Sequence, residues 1–284
     1  MEPILVTPGE LARHLDDPEW VVFDTRHDLV DTEAGRHEYG DAHIPGAYFL
    51  DVDEDLSGPK TGGNGRHPLP DPARFAARVE RCGVDSRSRV VAYDASGGCY
   101  AVRLWWMLRW LGVARVALLD GDWRRWLREK RAVSSAVPAP RAGSFEPRPR
   151  LGAVVDTAFV ERFCEDPSLR LVDARAATRY AGEQETLDPV AGHVPGAVNR
   201  FWQRNLEPDG RFKAPAELRE ELLDLLDHTP PEKSVHMCGS GVTACHNLFA
   251  LELAGLGEGR LYPGSWSEWC SDPARPVATG PRPK

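Results

Sequence analysis

Ser234–Leu253 reads S-V-H-M-C-G-S-G-V-T-A-C-H-N-L-F-A-L-E-L, and this stretch sets the fold. Val235 to Met237 is a short apolar run of the kind that ends a buried strand. Cys238 follows directly, then Gly239-Ser240-Gly241. From Val242 the spacing turns helical, with Ala244, Leu248 and Leu251 on one stripe and Gly255 as the stop. Cys238 is therefore predicted in a tight loop between a strand and the base of a helix. Two glycines let such a loop curl so that successive backbone N–H groups point inward. The helix N-terminus adds partial positive charge. These surroundings favour a thiolate over a thiol, and they would equally hold negative charge on a second sulfur carried by that thiol.

Working outward, the chain has 284 residues, enough for two domains of ordinary size, and 42% of them are hydrophobic, including 9 Trp, which is ample for two cores. The formal charge of −8 argues against nucleic acid as a partner. No apolar run is long enough to span a membrane. The first ten residues have neither a basic start nor an apolar stretch of signal-peptide length. The 6 cysteines (Cys82, Cys99, Cys164, Cys238, Cys245 and Cys270) form no C-x-x-C pair. They are expected to be reduced thiols in a cytoplasmic protein, with no disulfide framework, metal or organic cofactor.

The halves repeat each other. Val22-Phe-Asp24-Thr-Arg26 returns as Leu171-Val-Asp173-Ala-Arg175, Ala42-His43-Ile-Pro45-Gly46-Ala47 as Gly192-His193-Val-Pro195-Gly196-Ala197, and Gly121-Asp-Trp123 as Gly264-Ser-Trp266. The period is about half the chain, so this is a duplicated domain and not a solenoid. Strand signals at Trp20–Asp24, Arg89–Tyr93 and Val116–Leu119 alternate with helix signals at Glu10–Leu15, Phe75–Cys82, Tyr100–Leu111 and Trp123–Arg128. That alternation predicts an open, mostly parallel α/β sheet with helices on both faces in each half. In such sheets the site lies beyond the carboxyl ends of the strands, where Cys238 falls. Ser134 to Gly152, with Pro138, Pro140, Pro147 and Pro149, is expected to be an extended linker between domains at residues 1–133 and 153–284. Residues Asp51 to Pro70 form a loop too long to be a simple connection. The paired His43 and His193 are expected to fix their Pro-Gly turns, and His236 to be a core histidine.

Cys238-Gly239-Ser240-Gly241-Val242-Thr243 resembles the active-site loop of the rhodanese-type sulfurtransferases, in the form carried by mercaptopyruvate sulfurtransferases. The thiosulfate form has two basic residues where this chain has Gly239 and Ser240. The resemblance covers nearly the whole chain and implies two tandem rhodanese-like domains. Asp94 aligns with Cys238, so the first domain is implied to be inactive as a sulfur carrier. Cys238 is implied to take a sulfur from a small anionic donor as a persulfide, held by the loop from Gly239 through Gly241, Val242 and Thr243, and to pass it to cyanide, a thiol or a thioredoxin-like protein. Arg179, six residues after Asp173, matches the family's substrate-binding arginine, and its planar fork suits a carboxylate. A second arginine, usual soon afterwards in the mercaptopyruvate enzymes, is absent between Glu183 and Gly192. With Gly239 and Ser240 uncharged, attraction for a doubly charged thiosulfate is expected to come from Arg179 and backbone dipoles alone. Asp53 and His67 match residues implied to reach across to the active loop and to form, with Ser240, a relay that handles the proton at sulfur. The donor stays open between mercaptopyruvate, the favoured reading, and thiosulfate. A sulfur-relay module with little turnover is a further alternative. A cysteine phosphatase on this scaffold needs arginine at the sixth position after the cysteine, which here is Ala244.

Overall fold

In the computed structural model, which describes residues 3–282, the first strand β1 (Leu5–Val6) runs into α1 (Pro8–Ala12) through a cap that the sequence spells out. Thr7 accepts the Glu10 N–H on its side chain, and Pro8 takes a first-turn position where no N–H is needed. β2 (Trp20–Asp24), α2 (Ala34–Asp41), β3 (Tyr48–Phe49) and α3 (Pro72–Glu80) follow. β4 (Arg89–Tyr93) is buried along its length, as its valine-rich run requires. α4 (Ala101–Trp110) is buried on nearly every side, so its apolar residues form no single stripe. β5 (Val116–Leu119) and α5 (Asp122–Arg128) complete the first half. The second half contains α6 (Thr157–Phe163), β6 (Arg170–Asp173), α7 (Ala177–Tyr180), β7 (Val198–Asn199), α8 (Pro215–Leu226), β8 (Ser234–Met237), α9 (Ala244–Leu253), β9 (Arg260–Leu261) and α10 (Ser265–Trp269).

The strands form two parallel sheets, ordered β1-β5-β4-β2-β3 and β7-β6-β8-β9. A parallel bridge from Val154 to Leu261 stands in the second sheet where β1 stands in the first. The same repeated residues do the same work in each half. Arg26 forks onto Asp24, donates to the Ala42 carbonyl and lies over the Trp123 ring. Arg175 forks onto Asp173, donates to the Gly192 carbonyl and lies over Trp266. His43 is 2.7 Å through Nδ1 from the Tyr39 carbonyl and stacks on that ring; His193 is 2.8 Å from the Tyr180 carbonyl and stacks likewise. Both histidines fix turns, as expected.

The chain divides into two compact units whose boundaries do not follow the halves. One holds the residues through Gly58, Leu69–Arg150 and Leu206–Phe212; the other holds Pro59–Pro68, Leu151–Asn205 and Lys213 onward. The proline-rich stretch expected as a linker is extended, but up to Arg150 it is tied to the first unit. Ser134 bridges His43, Arg141 bridges Cys82, and the Arg148 and Arg150 N–H groups donate to the Leu111 and Trp110 carbonyls. α2 lies in a stretch that read only as polar, because Gly35 and Tyr39 alone among its residues are buried. The core of the first unit gathers Val22, Val91, Tyr93, Leu119, Trp123 and Trp126; that of the second gathers Leu171, Val235, Met237, Tyr262, Trp266 and Trp269.

Candidate active site

β6 and β8 lie side by side in the second sheet, paired from Arg170–Ser234 to Asp173–Met237. The chain leaves them in opposite directions across the sheet, through α7 to β7 and through α9 to β9. This is the switch point at which open α/β sheets collect ligands. The residue after β8 is Cys238, and α7 brings Arg179 from the end of β6.

Cys238 is almost fully buried, at 2% exposure. Its N–H donates to Ser265 Oγ, and its carbonyl accepts the Trp266 N–H at 3.0 Å, while the Gly239 carbonyl accepts the Ser267 N–H. The start of α10 thus clamps the loop. The Gly241 N–H donates to Cys238 Sγ, 3.1 Å away. Gly241 has φ +77°, and a Cβ there would stand 2.3 Å from the Pro263 carbonyl oxygen, so only glycine fits. The Ser240 and Val242 N–H groups have no acceptor among the described residues. Val242 is buried, and Thr243 stands at the N-terminus of α9 without a side-chain cap. Below the loop, Cys245 donates to the Gly241 carbonyl.

The first half shows what such a loop binds. Asp94, in the place of Cys238, is wholly buried, and its carboxylate accepts the N–H groups of Ser96, Gly98, Tyr100 and Ala101. Burial first, and the nearby Asp122 second, push its carboxyl up from the ordinary range, against those four donors. The cradle offers N–H donors to an acceptor, and in the first half the chain supplies that acceptor itself.

Pro59–Pro68 belongs with the second unit and brings two residues to the loop. His67 is buried, and its Nδ1 lies 2.7 Å from Ser240 Oγ. Arg66, which the sequence reading passed over, donates from its backbone to Ser267 Oγ and turns its guanidinium toward Gly239. A Cβ on Gly239 would stand 2.8 Å from Arg66 Nη2 and 3.5 Å from Arg179 Nη1. Two cations therefore face the residue next to the cysteine. The expectation that Arg179 alone supplies charge is corrected: the second arginine comes from the long loop of the other half and not from the segment after Arg179. The available signal was Arg66 beside His67 in a loop too long to be a connection.

Both guanidiniums are held from behind. Asp188 takes Arg66 Nη1 on one oxygen and Arg179 Nη2 on the other, the latter at 2.9 Å. Glu185 receives Arg179 Nε and Nη2. Burial raises Glu185, but the Arg179 hydrogen bond and the Leu187 and Asp188 N–H groups outweigh it and leave the carboxyl below its ordinary range. For Asp188 burial wins over the pull of Arg66, and its pKa lies above the usual carboxylate value. Asp53 belongs to the first unit, where its carboxylate stands 3.8 Å from His27 Nε2. His236 is a core histidine: it is fully buried against Ser234 Oγ, and burial, with the charge of Arg200, lowers it to about 3.

A parallel α/β sheet ending in a buried cysteine, an anion-binding loop and two backed arginines defines a nucleophilic cysteine site for small anionic substrates. The description Rhodanese-like domain matches residues 7–129 and 157–272, and the chain belongs to that family, with two such domains. A probable 3-mercaptopyruvate sulfurtransferase of Pseudomonas aeruginosa is 46% identical over 278 residues, 97% of this chain and 98% of its own. A putative thiosulfate sulfurtransferase of Mycobacterium tuberculosis is 36% identical over 98% of this chain and 97% of its own. Among solved structures, the 3-mercaptopyruvate enzyme of Escherichia coli superposes with a TM-score of 0.81 at 31% identity, covering 93% of this chain and 99% of that one. No helix among the described residues is long and apolar enough to cross a membrane.

Proposed function

We propose that the protein is a sulfurtransferase that moves a sulfane sulfur from 3-mercaptopyruvate to a thiol or cyanide through a persulfide on Cys238. The observation that carries this reading is the pair of guanidinium ends, Arg66 Nη2 and Arg179 Nη1, over Gly239, one residue from the sulfur. They can each donate to one oxygen of a donor carboxylate. The Cys238 thiolate attacks the donor's sulfur, the carbon–sulfur bond breaks, and the electron pair leaves on carbon as the enolate of pyruvate. That enolate needs one proton. Ser240 would deliver it, a reading supported by its hydroxyl lying 2.7 Å from His67 Nδ1. Gly241 N–H, with the unused N–H groups of Ser240 and Val242, would hold the persulfide until an acceptor thiolate or cyanide takes the outer sulfur and restores the Cys238 thiolate. Asp53 enters this proposal on family resemblance. Its test is separate: Asp53→Asn should lower kcat without changing persulfide placement.

Thiosulfate as donor is the second reading, motivated by the two guanidinium ends that face Gly239. Steady-state kcat/KM on both donors, with cyanide as acceptor, separates the two. Treatment with donor followed by mass spectrometry should show one added sulfur on Cys238, removable by cyanide and absent in Cys238→Ser. A sulfur found only on Cys99 or Cys245 would sink the assignment. All six cysteines are free thiols, which supports a reducing compartment such as the cytoplasm.

A further inference from the structure

Two guanidiniums, of Arg66 and Arg179, face Gly239, a third, of Arg175, shares Glu185 with Arg179, and buried carboxylates match all three. Arg175 forks onto Asp173, and its Nη1 lies 3.4 Å from Glu185. Arg179 gives Nε and Nη2 to Glu185 and shares Nη2 with Asp188. Arg66 gives Nη1 to the other oxygen of Asp188. Glu185 and Asp188 are 3% and 2% exposed at their side chains, so solvent screens neither charge well. The charges of Arg66, Arg175 and Arg179 are balanced by those of Asp173, Glu185 and Asp188. The site presents two fixed hydrogen-bonding ends to a ligand while carrying no net positive charge.

We infer that Asp188 is a specificity-determining residue: by pinning and countercharging Arg66 and Arg179 it tunes the site to singly charged donors and against dianions. This rests on the reading of the Cys238 loop as the sulfur-transfer site. A carboxylate has two oxygens and one charge, and two pinned N–H ends satisfy it without further reorganisation. A dianion such as thiosulfate brings a second charge that finds no uncompensated cation among Arg66, Arg175 and Arg179 and stands near the buried charge of Asp188. The carboxylate thus gives the arginines their geometry and withholds their surplus charge. Asp188 is a positioning residue, acting through the two guanidiniums and not on the reacting atoms.

Asp188→Asn removes the charge while keeping an oxygen for one arginine. The ratio of kcat/KM for thiosulfate to that for mercaptopyruvate should rise about tenfold, the effect of one unscreened charge at several ångströms. The rise should shrink as ionic strength increases. Asp188→Glu should bring the ratio back toward that of the unaltered enzyme. If Asp188→Asn does not fold, Glu185→Gln removes the other countercharge on Arg179 and carries the same expectation. A parallel loss on both donors with an unmoved ratio means that Asp188 only props the arginines, and it overturns the inference. An unaltered enzyme that turns over neither donor and gains no sulfur on Cys238 overturns the sulfurtransferase reading instead.

Discussion

At the scale of single residues, the site depends on side chains whose value shows only in three dimensions. Arg179 is found from its spacing after Asp173, but Arg66 has no sequence spacing to Cys238 that carries meaning. Both point one guanidinium end at Gly239. Arg66→Ala and Arg179→Ala should each lower kcat/KM for mercaptopyruvate by about one to two decades, the loss of one charge-assisted contact worth about 1.5–3 kcal/mol. The loss should appear mainly in KM, because a contact to the donor's carboxylate exists before and during sulfur transfer. An Arg66→Ala enzyme with unchanged kinetics on every anionic donor would remove Arg66 from the site. Gly241 makes a different demand. Its left-handed backbone and the Pro263 oxygen 2.3 Å from any Cβ mean that Gly241→Ala must push the loop outward. That moves the N–H facing Cys238 Sγ, so sulfur loading, followed by mass spectrometry, should fail at temperatures where far-ultraviolet circular dichroism still reports a folded chain.

At the scale of elements, strand, loop and helix were legible wherever local periodicity and local chemistry agree. Thr7-Pro8 marks a helix start because its cap is local, and β4 and β8 announce themselves by continuous burial. α2 was not legible, because a helix with two buried residues has no stripe to read. The duplicated loops carry the most informative comparison. Asp94 fills with its own carboxylate a cradle of the kind that Cys238 leaves open. Asp94→Ala would strip four N–H groups of their acceptor, those of Gly98 and Ala101 in buried bonds. The expected cost is about 2–4 kcal/mol, seen as a lowered denaturant midpoint. Asp94→Cys should not create a second carrier, since Gly97 N–H, the counterpart of the Gly241 N–H that faces Cys238 Sγ, is already committed to Asp122 Oδ2. Two persulfides per chain in Asp94→Cys would show that the cradle alone suffices.

At the scale of the whole molecule, the sequence repeat divides the chain in half, whereas the contacts assign Pro59–Pro68 to the second unit and Leu206–Phe212 to the first. Repeats are written in local sequence, but such assignments arise from packing between residues far apart in the chain, and no periodicity encodes them. The second unit also contains a device that couples its stability to pH. His236 on β8 is fully buried and held neutral, with its pKa lowered from 6.5 to about 3 by burial and by Arg200. Above pH 6.5 neither the folded nor the unfolded chain binds this proton. Below it the unfolded chain takes the proton while the folded ring refuses it, so stability falls with falling pH, by at most about 1.4 kcal/mol per unit, until the folded ring itself titrates near 3. His236→Gln removes this term and no other titrating group. Measured by urea unfolding, the unaltered protein should lose about 2 kcal/mol more than the variant between about pH 7 and 5. The comparison is made between two slopes and not two absolute stabilities, so a variant that is less stable throughout still answers the question. Parallel slopes would mean that His236 takes up its proton in the folded state near its ordinary pKa, and that water or a rearranged Ser234 reaches its ring.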